Sequence, residues 1–194
     1  MKLVERAHQM IQCARVNGDM CIDATAGNGH DTVFLAKCVA PKGRVWTIDI
    51  QQSAISKTRK RIEDSGLSEV ISLIHDCHSK VINHLPDACK GMVAVAMFNL
   101  GYLPGSDHSV RTSPSTTIQA LKLIYEILKP GGLLSVLCYR GHTGGSEEAE
   151  AIEKHCQFEN WQTERHPGSE NPSSPMLLVI KKPQNGLTGS TSDS

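Results

Sequence analysis

Asp23-Ala24-Thr25-Ala26-Gly27-Asn28-Gly29-His30-Asp31 lies between a short apolar run and an amphipathic one. Glycines in such a strand-to-helix turn let backbone N–H groups at the helix start approach a ligand closely. Gly27 and Gly29, flanked by Ala26 and Asn28, therefore suit the cradle of a nucleotide-type cofactor. The next apolar run, Arg44 to Asp49, ends in a carboxylate 22 residues after Gly27, where a strand-loop-helix-strand unit holds the two hydroxyls of a ribose. Gln51 stands beside it, within reach of the same sugar or the adenine edge. The competing readings are a plain turn for the glycines and, for Asp49, a cap on the helix starting near Gln52.

A second group of reactive types follows the apolar run 91–98. Asn99-Leu100-Gly101-Tyr102-Leu103-Pro104-Gly105 offers a side-chain carbonyl and an aromatic face; the alternative is a turn at Gly101 with Tyr102 as packing. Asp76-Cys77-His78 and Tyr139-Arg140-Gly141-His142-Thr143-Gly144-Gly145 each follow a further apolar run. Asp31, next to His30 at a helix start, is favoured there by the helix dipole whatever else it does. Lys57-Thr58-Arg59-Lys60-Arg61, the densest basic run, reads as a solvated helical face, and Arg111, Arg165, Lys181 and Lys182 are scattered phosphate candidates.

These groups need elements to position them. Leu3, Ala7, Met10, Ile11 and Ala14 recur at helical spacing, predicting a helix over 3–16. Beyond it, strand patterns near 19–23, 44–49, 70–74, 91–98, 132–139, 157–165 and 176–181 alternate with helical ones near 30–39, 52–65, 78–84, 115–128 and 146–155. Such alternation predicts an α/β fold with a mostly parallel seven-stranded sheet and helices on both faces. The Pro/Ser/Gly-rich segment 166–175 leaves no helix between the last two strands. A hairpin there puts one antiparallel strand at the edge of the sheet or inside it. Lys129-Pro130-Gly131-Gly132 punctuates the end of a helix. Residues 1–182 are expected to form one domain, and 183–194 a disordered tail.

Composition removes several classes. The 194 residues carry zero formal net charge and 4% aromatics, which argues against a strongly basic nucleic-acid binder. Seven cysteines without a C-x-x-C pair read as buried thiols in a reducing compartment, with no metal site and no complete disulfide framework. No run approaches membrane-spanning length and no signal-peptide core opens the chain, so a protein without a membrane partner is expected. A cytoplasmic location is expected, or a plastid or mitochondrial interior if a transit peptide has been trimmed. The oligomeric state stays open, a homodimer included.

The glycine loop alone does not choose between a nicotinamide dinucleotide and S-adenosylmethionine (SAM). A dinucleotide needs G-x-G-x-x-G and a second mononucleotide half, whereas here Gly27-Asn28-Gly29 runs into His30-Asp31. Seven strands with a terminal hairpin, Pro-Gly-Gly before the fifth and Asp-x-x-x-Gly-x-Gly in the first loop together resemble the Rossmann-like class I SAM-dependent methyltransferases over residues 19–182. Thr25 stands where that class usually has its first glycine. The words 23–32, Asp49-Ile50-Gln51, 99–105 and 139–145 are similar to the family labelled "putative rRNA methylase", whose characterised members are tRNA 5-aminomethyl-2-thiouridine methyltransferases.

The resemblance implies roles. Asp49 and Gln51 hold the ribose, Asn28 the methionine moiety, Asp23 its amino group, and Asp76, Cys77 and His78 the adenine. Asn99 and Tyr102 resemble the Asn-Pro-Pro-Tyr loop of amino-group methyltransferases, in which an Asn-type carbonyl and nearby backbone carbonyls hold the acceptor nitrogen; Leu100 and Gly101 belong to that substrate loop. Tyr139, Arg140 and His142 form its rim, with Arg140 toward a phosphate of the anticodon stem-loop. Asp31, His142 or Tyr102 would take the released proton. The expected activity is methylation of a wobble 5-aminomethyl (2-thio)uridine in tRNA. The alternatives are an rRNA or small-molecule amine methyltransferase, or a SAM-binding module without catalysis.

Overall fold

The computed structural model describes residues 1–101 and 112–184. Tyr102 and Arg111, and all of the expected tail from residue 185, lie outside the described residues. Chain order is α1 (Leu3–Cys13), β1 (Met20–Asp23), α2 (His30–Val39), β2 (Arg44–Asp49), α3 (Gln52–Ser65), β3 (Ile71–His75), β4 (Val93–Leu100), α4 (Pro114–Ile127), β5 (Leu128–Cys138), α5 (Gly145–Phe158), β6 (Gln162–Pro167) and β7 (Met176–Lys181).

The seven strands form one sheet in the order β3-β2-β1-β4-β5-β7-β6. The first five are mutually parallel, and β7 runs antiparallel to both β5 and β6. The hairpin therefore places its second strand inside the sheet. Both faces of the inner strands are apolar, as a sheet covered twice requires, while the edge strand β6 is polar and mostly exposed. In β4, Ala96, Phe98 and Leu100 pack with α4 and α5 residues such as Leu121, Ile124 and Ile152. Val95 and Met97 point the other way, into the layer of Ile11, Leu35 and Val39 from α1 and α2.

Several boundaries differ from the sequence pattern. α1 stops at Cys13, and Arg15 takes a positive φ of 51°. Residues 78–84 form a 3-10 helix rather than an α-helix. α5 continues to Phe158, so β6 starts only at Gln162. After α4 the chain enters β5 at once: Val93 pairs with Leu128 and Val95 with Leu133, so Lys129 to Gly132 bulge out of the ladder. Lys182 accounts for part of that corner, its ammonium donating to the carbonyls of Tyr125, Glu126 and Leu128 at 3.1, 2.9 and 2.8 Å, at the end of α4.

The chain steps outward from β1 to β2 and β3, then returns to place β4 on the other side of β1. At this reversal the loops after β1 and β4 diverge, and a crevice opens beyond the carboxyl ends of the strands.

Candidate active site

The loop after β1 is held from three sides. Gly27 donates its N–H to Asp49 Oδ2 at 2.9 Å, and Gln51 donates its N–H to Asp49 Oδ1 at 2.9 Å. The carboxylate ending β2 thus ties the glycine loop to the start of α3. From α3, Thr58 Oγ1 donates to the Gly27 carbonyl at 3.2 Å and Arg61 Nε to the Asn28 carbonyl at 2.7 Å. Two members of the basic run, read from sequence as solvated, therefore prop this loop; Lys57, Arg59 and Lys60 are exposed. Gly29 has φ +77°, and a Cβ there would lie 3.1 Å from Thr58 Cα, so only glycine lets α3 approach.

Thr25 joins the third side. Its Oγ1 accepts the backbone N–H of Asn99 at 2.7 Å, while its own N–H donates to Asp23 Oδ1 at 3.2 Å. Asp23 is 1% exposed and also accepts the Thr32 hydroxyl at 2.6 Å. Its carboxyl is spent inside the strand-loop junction, behind the cleft wall. Burial first, and the charge of Asp31 second, push it well above the usual carboxylate range.

A cleft of about 660 Å³ opens over these loops, within the range of small-ligand sites. Of the residues singled out from sequence, it brings together Ala26, Gly27, Asn28, Asp31, Asp49, Gln51, Cys77, His78, Asn99, Gly101, Tyr139 and His142. Gly29, Asp76, Leu100 and Arg140 do not line it. Asp76 turns its carboxylate to His84 and to the Cys77 N–H, which hold it down to about 2. Leu100 is core, and Arg140 Nε donates to the Ser174 carbonyl at 2.8 Å, tying the rim to the turn before β7. Arg165 and Lys181 pair with Glu153 and Glu164, at 3.1 and 3.4 Å, which leaves both engaged within the protein.

The two walls differ chemically. On one, exposed Ile50 sits beside Asp49, facing Cys77 and buried His78, whose ring meets Phe98 edge-on. Burial lowers the His78 imidazole to about 4, keeping it neutral. On the other, Asn99 Nδ2 donates to Asp31 Oδ2 at 3.1 Å, and Gly101, Tyr139 and His142 crowd together. A Cβ added at Gly101 would stand 3.5 Å from His142 Nε2 and 3.6 Å from Tyr139 Cβ. Burial, aided by the Asp31 charge, raises the Tyr139 phenol.

Sequence reasoning missed Thr58, Arg61, His8 and the Thr112–Glu148 pair. His8, on α1, reaches Asp31 Oδ1 at 2.7 Å. Thr112 and Thr117 both donate to buried Glu148, at 2.6 and 2.7 Å, fixing the entry of α4 against α5 beside the cleft. Helical periodicity marked α3 and the start of α1 but carried no sign of which polar residue faces the loop. Among the described residues no three His, Cys, Asp or Glu side chains gather as metal ligands, and all seven cysteines are free thiols.

This strand order with β7 reversed, and a glycine loop and a strand-end acid meeting in one cleft, define a SAM-dependent methyltransferase of class I. Residues 45–181 match the model of the family described as "Putative rRNA methylase", and the chain belongs to that family. It is 37% identical to the chloroplastic tRNA (mnm(5)s(2)U34)-methyltransferase of Arabidopsis thaliana, over 95% of this chain and 70% of that protein. Among solved structures it is similar to the "putative rRNA-methylase" of Clostridium thermocellum, with TM-score 0.86, 36% identity and 94% of this chain covering 98% of that one. SMU.1697c, a "putative methyltransferase" from Streptococcus mutans in complex with SAH, aligns with TM-score 0.80 and 30% identity over the same shares.

Proposed function

We propose that this enzyme methylates the 5-aminomethyl group of a wobble (2-thio)uridine, giving 5-methylaminomethyl, with the anticodon stem-loop of tRNA as its partner. The carrying observation is the orientation of Asn99. A carboxylate only accepts hydrogen bonds, so the Asn99 amide must present its nitrogen to Asp31, and its planar geometry turns the carbonyl away. A carbonyl fixed at the cleft wall suits an acceptor with N–H groups to donate, as an amine has. The tRNA nucleoside in the name of the Arabidopsis relative, mnm(5)s(2)U34, is the product this reaction would give and supports the same reading.

The residues present fit SAM. Asp49 is held by two backbone N–H groups with lone pairs left for a diol, Ile50 offers an apolar surface, and Gly29 leaves no room for a side chain behind the loop. When bound, SAM supplies an electrophilic methyl group on a sulfonium. The task of the chain is alignment and dryness. An alkylamine has a solution pKa of about 10.4, so the site must favour its neutral form, by desolvation and by a base near the nitrogen. We assign that second role to Asp31, whose position on the cleft wall beside Asn99 supports it.

Incubation with tRNA carrying the aminomethyl nucleoside, followed by nucleoside mass spectrometry, tests the proposal. A gain of one methyl group is expected with SAM present, and no gain would sink the substrate assignment. Asn99→Ala should lose turnover while keeping SAM-dependent thermal stabilisation.

A further inference from the structure

His8 lies on α1, outside the segment matched by the family model, and does not line the cleft. Its ring is nonetheless fixed from two directions by residues one turn apart on α2. Phe34 stacks on its face at 3.7 Å with 5° between the planes, and Asp31 Oδ1 meets Nε2 at 2.7 Å. The other oxygen of the same carboxylate takes the Asn99 amide. Asp31 thus links the imidazole to the Asn99 amide at the acceptor end of the cleft. The side chains are 24% and 9% exposed, so the ring meets solvent more than the carboxylate does.

We propose that Asp31 takes the proton of the substrate ammonium and that His8, acting through it, sets how strongly it does so. In the step itself an N–H bond of the ammonium breaks, the proton forms an O–H bond on Asp31, and nitrogen keeps the electron pair as the lone pair that attacks. Neutral His8, donating from Nε2, orients the carboxylate and leaves it a full negative charge. Imidazolium at the same place pairs that charge and weakens the base. His8 is a positioning residue, and the proposal rests on the amine reading above.

Other groups face this pair. Behind Asp31 on β1 is Asp23, and past β5 is Tyr139, both of which feel the Asp31 charge. On α1 itself, Glu5 is held by the Lys2 N–H, and the charge of Arg6 is felt at His166 on β6. Burial raises Asp23 to about 7, so its own titration must be removed by substitution in the test.

The test is the pH dependence of kcat from about pH 5 to 9, beside NMR titration of the His8 ring in the protein alone. In the native enzyme an acid-side inflection should coincide with the ring titration and persist in Asp23→Asn. His8→Gln keeps a neutral donor toward Asp31, so it should retain kcat at neutral pH within about threefold and lose that inflection. His8→Ala should lower kcat roughly 10- to 100-fold, with partial rescue by added imidazole, while SAM affinity by calorimetry stays unchanged. An inflection surviving in His8→Gln, or full kcat in His8→Ala, overturns the proposal. A folded native enzyme that binds SAM yet never methylates the aminomethyl tRNA overturns the amine reading instead, and this inference with it.

Discussion

The Thr25 hydroxyl accepts the backbone N–H of Asn99 at 2.7 Å across 74 residues of sequence. One short side chain therefore couples the cofactor loop after β1 to the acceptor end of β4. In the commonest pattern of this class a glycine occupies that place and cannot make the bond. The threonine that departs from the pattern adds a side-chain tie between the two halves of the site, beyond the pairing of β1 with β4.

Thr25→Val keeps the shape and removes the acceptor. The Asn99 N–H would be left without it in a half-buried place, at a cost of about 1–3 kcal/mol. We expect a lower unfolding midpoint in urea and a kcat that falls more than SAM affinity, because Asn99 moves while Asp49 does not. Thr25→Ser should behave as the native protein does.

Gly29 and Gly66 share a left-handed backbone, with φ of +77° and +69°, but differ in surroundings. Alanine at either position strains the backbone by about 1–2 kcal/mol. At Gly66 the new Cβ meets nothing within 4 Å, whereas at Gly29 it meets Thr58 backbone and side chain at 3.1–3.2 Å. Gly29→Ala should be destabilised by about 1–3 kcal/mol more than Gly66→Ala in chemical unfolding. It alone should weaken SAM binding, since α3 must retreat from the loop.

Much of this architecture is legible in sequence because its signals are local. Glycines at a strand-to-helix turn, an acid ending the next strand and apolar runs of strand length depend on neighbours along the chain. What depends on packing is not legible. The 166–175 segment announces a hairpin, but nothing in it tells that β7 enters between β5 and β6. Thr58 and Arg61 sit in a basic run whose ordinary fate is solvent, and only the approach of α3 to Gly29 turns them inward. His8 meets Asp31 because α1 packs on α2, a relationship that no spacing between residues 8 and 31 encodes.

Asp49 has both oxygens committed to backbone N–H groups, those of Gly27 and Gln51, so it shapes the loop as well as facing the cleft. Asp49→Ala removes a charged acceptor from both donors, a loss of roughly 1.5–3 kcal/mol per hydrogen bond. The rise in Tm that SAM gives the native protein should be largely abolished, as read by thermal unfolding with and without the donor. An undiminished rise would show that the ribose is held elsewhere.

Asp23 and His78 should give opposite pH dependences that hide one another. Burial raises Asp23 from 3.8 to about 7, so between those values the folded state binds more protons than the unfolded one. Its contribution to stability is present at low pH and is lost as pH rises toward 7. Burial lowers His78 from 6.5 to about 4, so in that window the folded state binds fewer protons. Its contribution is present above 6.5 and is lost as pH falls toward 4. Each slope is at most about 1.4 kcal/mol per pH unit, and from about pH 4 to 6.5 the two oppose. Relative to the native protein, Asp23→Asn should gain stability with rising pH across that window, and His78→Leu should lose it. Urea unfolding at half-unit steps of pH would read both slopes. Parallel curves for the native protein and either variant would mean that the residue replaced carries the same charge folded and unfolded.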